Sequence, residues 1–192
     1  DKKMELAVRQ KLLAAKNAAA KLAVMPTAVK NAALQAMAAE LRRRSDIILA
    51  ANTRDIGNAE RSGVKASFID RLALNENRLR SMADSLRETA ALPDPIGECD
   101  FGVVRPNGLE IRRIRVPLGV VAIIYEARPN VTSEAASLTI KSGNAVLLRG
   151  GKEALETNIA VVEALRWAAE SEGVPPDAIS FIDFADRSSV DV

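Results

Sequence analysis

Three apolar runs decide the fold of this 192-residue chain: Gly119-Val-Val-Ala-Ile-Ile-Tyr125, Ala145-Val-Leu-Leu148 and Ala178-Ile-Ser-Phe-Ile-Asp183. Short continuous apolar runs are typical of strands in parallel sheets, and we expect the first to be buried on both faces. Helical patterns separate the runs, so the order is strand, helix, strand, helix, strand. Such an order predicts an α/β fold with a parallel sheet and right-handed crossovers.

The two crossover helices have recognisable start and stop signals. We expect Thr132 or Ser133 to cap the first helix, which then continues through Lys141. The second helix is predicted over 152–172, before Gly173. A further helix is predicted to start at 186–192, but no residues follow that could form the rest of it. We therefore expect both ends of the chain to be cut points.

The first ninety residues are rich in alanine, the best helix former, and predict a helical lead-in to the sheet. The predicted helices cover 4–24, 28–43, 46–61, 67–72 and 76–91. Pro26 and Thr27 are predicted to cap the second of these helices, and Asn75 the last. The run Arg42-Arg43-Arg44 fits a solvated helix C-terminus, with an anion site as the alternative.

Between the helical lead-in and the sheet, the sequence predicts a β-hairpin ribbon. The turn Pro106-Asn107-Gly108 separates two alternating runs within 101–116, and Asn-Gly tolerates the positive φ angles of a tight hairpin. The predicted organisation is therefore a helical part over 1–98, a ribbon over 99–116 and an incomplete Rossmann-like part over 117–192.

Composition excludes several classes of function. The chain has no histidine, which removes every mechanism that needs a histidine base or a histidine-ligated zinc, and we expect no metal site. The net charge of +2 and 3% aromatic content argue against nucleic acid as a partner. No apolar stretch is long enough for a membrane span, so we expect no membrane partner. The single cysteine, Cys99, lies between two acidic residues, which disfavour its thiolate, and we expect it to be a bystander.

The first candidate site is the turn Arg149-Gly150-Gly151-Lys152, which follows the second strand and opens a helix. Two glycines allow a ligand close to the backbone, and a helix N-terminus attracts anions, so a phosphate-bearing ligand fits. The alternative is a tight strand-to-helix turn that is merely basic. The spacing is not that of a Walker A loop, and no Gly-x-Gly-x-x-Gly fingerprint follows either strand.

The second candidate site is Tyr125-Glu-Ala-Arg-Pro-Asn-Val-Thr132, where the first strand ends. Glu126, Arg128 and Asn130 interrupt the chain at the edge where parallel sheets bind ligands. Asn130 could donate its side-chain amide to a developing oxyanion, and the alternative is a helix cap.

These segments carry a family resemblance. The stretch Val116–Thr132, the stretch Leu138–Glu153, Asp70-Arg-Leu-Ala-Leu74 and Asp94-Pro-Ile-Gly97 resemble the gamma-glutamyl phosphate reductase (glutamate-5-semialdehyde dehydrogenase) family of the aldehyde dehydrogenase superfamily. The resemblance runs from about residue 5 to the end of the chain and covers the first part of the family's length.

The resemblance implies NADPH-dependent reduction of gamma-glutamyl phosphate to glutamate 5-semialdehyde and phosphate, in proline biosynthesis and in the cytoplasm. By resemblance, Arg149 and Lys152, with Gly150 and Gly151 between them, bind NADP(H), and the two cations suit its 2′-phosphate. It also implies Asn130 as an oxyanion donor. The family motif includes Glu126 and Arg128, which we expect to bind substrate.

The resemblance further implies a homo-oligomer built through the ribbon and a functional contact with glutamate 5-kinase. The family's catalytic cysteine and catalytic domain belong beyond residue 192, and Cys99 does not occupy that motif. We therefore expect the 192 residues alone to lack reductase activity. A non-catalytic nucleotide- or phosphate-binding regulatory module with the same motifs stays open as the alternative.

Overall fold

The computed structural model describes residues 2–183, with side chains described from Met4 onward. The α-helices of this part are α1 (Lys2–Leu22), α2 (Thr27–Arg43), α3 (Ser45–Arg61), α4 (Ala66–Leu72), α5 (Glu76–Ala91), α6 (Pro129–Lys141) and α7 (Leu155–Ser171). Its strands are β1 (Cys99–Val104), β2 (Glu110–Ile114), β3 (Val120–Ile124), β4 (Ala145–Arg149) and β5 (Ile179–Phe181). The helix start predicted at 186–192 lies outside the described residues.

The predicted parallel sheet is present. Its strands are ordered β3-β4-β5, with α6 and α7 as the crossover helices. Ile124 is in register with Arg149, and Leu148 is in register with Phe181. All three carboxyl ends therefore lie at one edge of the sheet, where the loops that follow β3 and β4 meet.

Helices cover both faces of the central strand because its side chains alternate between them. Leu147 packs with Val8 and Leu12 of α1, whereas Val146 and Leu148 belong to the main core. That core also takes side chains from the outer helices, among them Leu34, Met37 and Leu41 of α2, and Leu79, Met82 and Leu86 of α5. The helical lead-in and the sheet therefore share one hydrophobic core.

The burial predicted for the first strand was wrong. Residues of β3 are half-buried or exposed, and Ile124 has a relative exposure of 59%. Within the described residues β3 is an edge strand with a single neighbour, so it lacks the cover that β4 receives on both sides. It is β4 that is buried along its apolar length.

The predicted start of α6 was also wrong. The helix begins at Pro129, with Arg128 in an extended conformation at the N-cap position, and neither Thr132 nor Ser133 caps it. Proline suits the first position of a helix because its missing N–H would have no partner there. The predicted stop is confirmed, since Gly143 follows the helix with φ 71°.

The ribbon forms as an antiparallel pair between β1 and β2, with Val104 opposite Glu110. Gly108 occupies the turn with φ 83°, as the Asn-Gly signal predicted. The ribbon is exposed along most of both strands and carries apolar side chains into solvent, including Phe101, which is 51% exposed.

A buried charge cluster fixes the segment that leads into the ribbon. Lys30 Nζ lies 2.5 Å from Asp94 Oδ2, and Thr27 Oγ1 donates to the same oxygen at 2.6 Å. Thr27 therefore serves this cluster and does not cap α2 through its side chain, contrary to expectation. Burial opposes ionisation of Asp94, but the hydrogen bonds from Lys30 and Thr27 outweigh it and lower its pKa. Nearby, Lys141 Nζ donates to Ala90 O at 2.8 Å.

Candidate functional site at the carboxyl edge of the sheet

The two glycines after β4 allow the chain to contact itself closely. A Cβ on Gly150 would lie 2.2 Å from Asn158 Nδ2, and one on Gly151 would lie 3.0 Å from the backbone nitrogen of Ala127. The φ angle of neither glycine is positive, so backbone conformation alone does not require them. They are needed because the loop after β3 and the first turns of α7 press against this turn.

The backbone amides at the N-terminus of α7 are already bonded to a carboxyl group of the protein itself. Asp55 of α3 accepts hydrogen bonds from the backbone N–H of Thr157 at 2.8 Å and from its hydroxyl at 2.6 Å. The N–H of Glu156 points to the other carboxylate oxygen at 3.4 Å. Burial raises the pKa of the Asp55 carboxyl, and the hydrogen bonds from Thr157 offset only part of that effect. These first-turn amides are therefore not open to a bound phosphate, whereas the sequence had suggested that a phosphate could bind them.

The cations of the turn lie at its rim. A short 3-10 turn, Lys152–Ala154, separates the glycines from α7. Lys152 is exposed and forms no ion pair with any residue in 2–183, whereas Arg149 is half-buried and has interactions of its own. An anion that reaches this edge of the sheet would therefore meet the ammonium group of Lys152 first.

A chain of buried hydrogen bonds joins the loop after β3 to α6 and α7. The hydroxyls of Tyr125 and Thr132 lie 2.6 Å apart, and Thr132 Oγ1 donates to Asn158 Oδ1 at 2.9 Å. Burial raises the pKa of Tyr125 to about 12, so the phenol stays protonated at ordinary pH. Asn158 Nδ2 is buried without a hydrogen-bond partner among the described residues and faces Gly150.

The polar residues predicted after β3 separate into exposed charges and a half-buried amide. Glu126 and Arg128 are both exposed. Asn130 lies in the first turn of α6, where its amide donates to Glu134 Oε1 at 3.1 Å. It does not cap the helix, because Arg128 occupies that position. The oxyanion role of Asn130 stays a prediction.

Two of these residues line a cleft that sequence reasoning did not find. It has a volume of about 430 Å³ and lies between the α4–α5 connection, α5 and the start of α6. Arg128 and Asn130 form one wall, and Arg71 and Arg78 lie on the other side. Arg71 Nη1 is 3.8 Å from Glu126 Oε2, so the cleft and the loop after β3 are electrostatically connected.

The residues that sequence reasoning missed come from the motif Asp70–Leu74 and its surroundings. Asn52 holds this segment, since its Nδ2 donates to Leu72 O at 3.0 Å and its Oδ1 accepts from Leu74 N at 2.7 Å. The motif was visible in the sequence, but its distance along the chain from Arg128 gave no sign that the two share a cleft.

The other sequence candidates do not join this edge. Cys99 is exposed on the ribbon, with its Sγ 3.2 Å from Phe101 O. In the arginine run, Arg43 and Arg44 bind Glu40 and both lie over the ring of Trp167.

In 2–183, no group of three or more acidic or cysteine side chains is placed to hold a metal ion. None of the helices in this range has both the length and the apolarity to cross a bilayer.

The parallel sheet and its crossover helices define an α/β domain with a charged carboxyl edge. The chain matches the model of the aldehyde dehydrogenase family over residues 2–191. The chain therefore belongs to the aldehyde dehydrogenase family.

Within that family the chain is similar to gamma-glutamyl phosphate reductases. It is 49% identical over 187 residues to the one from Caldanaerobacter subterraneus subsp. tengcongensis, covering 97% of this chain and 45% of that protein. It is 51% identical over 187 residues to the one from Moorella thermoacetica, with the same 97% and 45% coverage. The chain thus spans less than half the length of these relatives.

Solved structures agree with the fold. The crystal structure of gamma-glutamyl phosphate reductase from Thermotoga maritima matches with a TM-score of 0.93 and 43% identity, over 95% of this chain and 44% of that one. A probable aldehyde dehydrogenase from Listeria monocytogenes matches with a TM-score of 0.74 and 18% identity, over 98% of this chain and 39% of that one. The second match supports the fold alone.

Proposed function

We propose that the chain is part of a gamma-glutamyl phosphate reductase, which reduces gamma-glutamyl phosphate with NADPH to glutamate 5-semialdehyde and releases phosphate in proline biosynthesis. The observation that carries this proposal is the similarity to proteins of that name, 51% identical over 97% of the chain for the Moorella thermoacetica relative. The TM-score of 0.93 to the Thermotoga maritima enzyme supports it.

The nucleophile of the proposed reaction lies outside these 192 residues. A thiolate nucleophile needs a low pKa and a positive environment, whereas Cys99 is exposed on the ribbon between Glu98 and Asp100. The chain by itself is therefore expected to have no reductase activity.

NADP(H) is proposed to bind at the turn after β4. The donor set fits the 2′-phosphate end of the cofactor, because Lys152 is exposed without an ion pair in the described part of the chain. Arg149 supplies a second cation beside the close-packed Gly150 and Gly151. When bound, the nicotinamide supplies the hydride for the reduction. Since Asp55 occupies the first-turn amides of α7, the exposed cation and not the helix end would select for phosphate.

Glu126, Arg128 and Asn130 are proposed to face the substrate. Their place at the end of β3 supports this, since ligands of parallel sheets bind at the carboxyl ends of strands. A homo-oligomer formed through the ribbon is proposed as well, because β1 and β2 expose apolar side chains such as Phe101 and Ile114. A cytoplasmic location and the contact with glutamate 5-kinase stay predictions from the resemblance.

The alternative of a regulatory phosphate-binding module has less support. Such a module would be expected to use the amides at the start of α7, and Asp55 already accepts hydrogen bonds from them. No observation on the described residues favours it over the reductase.

The test of the cofactor assignment is a calorimetric titration of the chain with NADP⁺ and NAD⁺. We expect Arg149→Ala and Lys152→Ala each to weaken NADP⁺ binding about tenfold, as loss of a charge-assisted hydrogen bond predicts. We expect Lys152→Ala to affect NAD⁺ much less. Lys16→Ala, which removes an exposed lysine of α1, is the matched control and should change neither affinity. Unchanged NADP⁺ affinity in both site variants would contradict the assignment.

A further inference from the structure

The cleft between α5 and the start of α6 holds two opposite charges that form no ion pair with any residue in the described part of the chain. Arg128 and Glu134 both line it and both are exposed. Within 2–183 neither forms an ion pair, and the only side-chain hydrogen bond of Glu134 comes from the neutral amide of Asn130. An exposed cation and an exposed anion that share a cleft without pairing leave room for a ligand that bears both charges.

The opposite side of the cleft is fixed in place. Arg78 donates to the backbone oxygens of Asp70 and Ala73, the latter at 2.7 Å, and lies 3.0 Å from Asp70 Oδ1. These bonds hold the end of α4 and the α4–α5 connection, where Asn52 in turn bonds to Leu72 and Leu74. This wall of the cleft is therefore held in position by the protein itself, which lowers the cost of binding.

The chemistry of the lining selects one class of ligand. Leu74 and Met82 supply apolar surface between the charged groups, which suits a short aliphatic chain. Arg78 pairs with Asp70 and Arg71 lies near Glu126, so these charges are already matched. The carboxylate of Glu134, on the same cleft as Arg128, disfavours a doubly charged phosphate there. A free α-amino acid group has one carboxylate and one ammonium, and it matches both unpaired side chains.

We propose that this cleft binds the α-amino-acid end of the substrate, with the α-carboxylate on Arg128 and the α-ammonium on Glu134. This rests on the proposed function, whose substrate carries such an end. It also assigns the orientation of the bound substrate, because the phosphate end would then point away from α5, toward the carboxyl edge of the sheet. Glu134 thereby becomes a specificity-determining residue for a substrate with a free α-amino group. Arg78 positions the wall that faces it.

The test is calorimetric titration of the chain with four probes: L-glutamate, glutarate, 4-aminobutyrate and inorganic phosphate. Glutarate lacks the ammonium and 4-aminobutyrate lacks the α-carboxylate, so L-glutamate should bind about tenfold tighter than either, and phosphate should not compete. Arg128→Gln should weaken L-glutamate about tenfold. Glu134→Gln should weaken L-glutamate by a similar factor and leave glutarate unchanged or tighter. Arg80→Gln, an exposed arginine of α5 outside this cleft, is the control.

The outcomes separate this inference from the proposed function. Equal binding of L-glutamate and glutarate, no binding of L-glutamate, or displacement of it by phosphate would each overturn the assignment. NADP⁺ titrations on the same preparations show whether the cofactor assignment stands in that case. Both substituted side chains are exposed, and far-UV circular dichroism checks that the variants keep the fold.

Discussion

The loops that follow β3 and β4 start at paired positions, Ile124 and Arg149, but different forces hold them. The loop after β4 closes on the protein itself, with Gly150 and Gly151 against neighbouring chain. The loop after β3 is anchored by buried hydroxyls and leaves its charged side chains exposed. The comparison shows that glycines after a strand can allow close packing between two parts of the chain. The charged side chains at the rim then remain available to a ligand.

The largest expected effect comes from a methyl group placed between the two loops. Gly150→Ala puts a Cβ 2.2 Å from Asn158 Nδ2 and 3.3 Å from the Tyr125 ring, so buried neighbours must move. We expect the free energy of unfolding to fall by about 3 kcal/mol, as for an overpacked core, measured by urea denaturation. In the control Gly57→Ala, a helical site with no atom within 4 Å of the new Cβ, we expect a gain of about 0.5 kcal/mol. Equal stability of the two variants would show that the loops do not press on each other.

The next effect tests whether the start of α7 depends on Asp55. Asp55→Ala leaves the N–H and hydroxyl of Thr157 without their acceptor, and we expect a loss of about 2 kcal/mol in unfolding free energy. Asp55→Asn keeps one acceptor oxygen and should lose less.

The same residue predicts a pH dependence. Because burial raises the folded-state pKa of Asp55 above its usual 3.8, its contribution is fully present below pH 3.8 and is lost as the pH rises through the folded-state pKa. The stability advantage of wild type over Asp55→Asn should therefore be larger at pH 3.5 than at pH 7, by urea denaturation at both values. An advantage that grows with pH would contradict the raised pKa.

The smallest effect concerns the hydroxyl that anchors the loop after β3. Thr132→Val removes the bridge between the Tyr125 hydroxyl and Asn158 Oδ1, and we expect a loss of about 1 kcal/mol. The control is Thr139→Val in the same helix, where the hydroxyl bonds only to backbone oxygens of its own helix. If both variants lose the same free energy of unfolding, the hydrogen bonds from Thr132 to Tyr125 and Asn158 add no stability beyond that of a hydroxyl bonded within its own helix.

Local patterns were sufficient to predict most of the elements and several of their end and turn signals. Asn75 caps α5 through its side chain, and Gly108 forms the ribbon turn, because both depend only on adjacent residues. The start of α6 was placed too late because Thr132 and Ser133 are good caps by type, whereas Thr132 bonds across to Tyr125 and Asn158. The burial of β3 was wrong because an apolar run does not reveal its place in the sheet.

The sequence by itself determined the order of helices and strands, the family resemblance and the positions of the two candidate loops. These depend on short-range periodicity and turn chemistry, which are visible along the chain. Only the tertiary structure decided that Asp55 occupies the start of α7 and that Arg128 shares a cleft with Arg71 and Arg78. Those partners are far apart in sequence, and only burial of a common core brings their helices together.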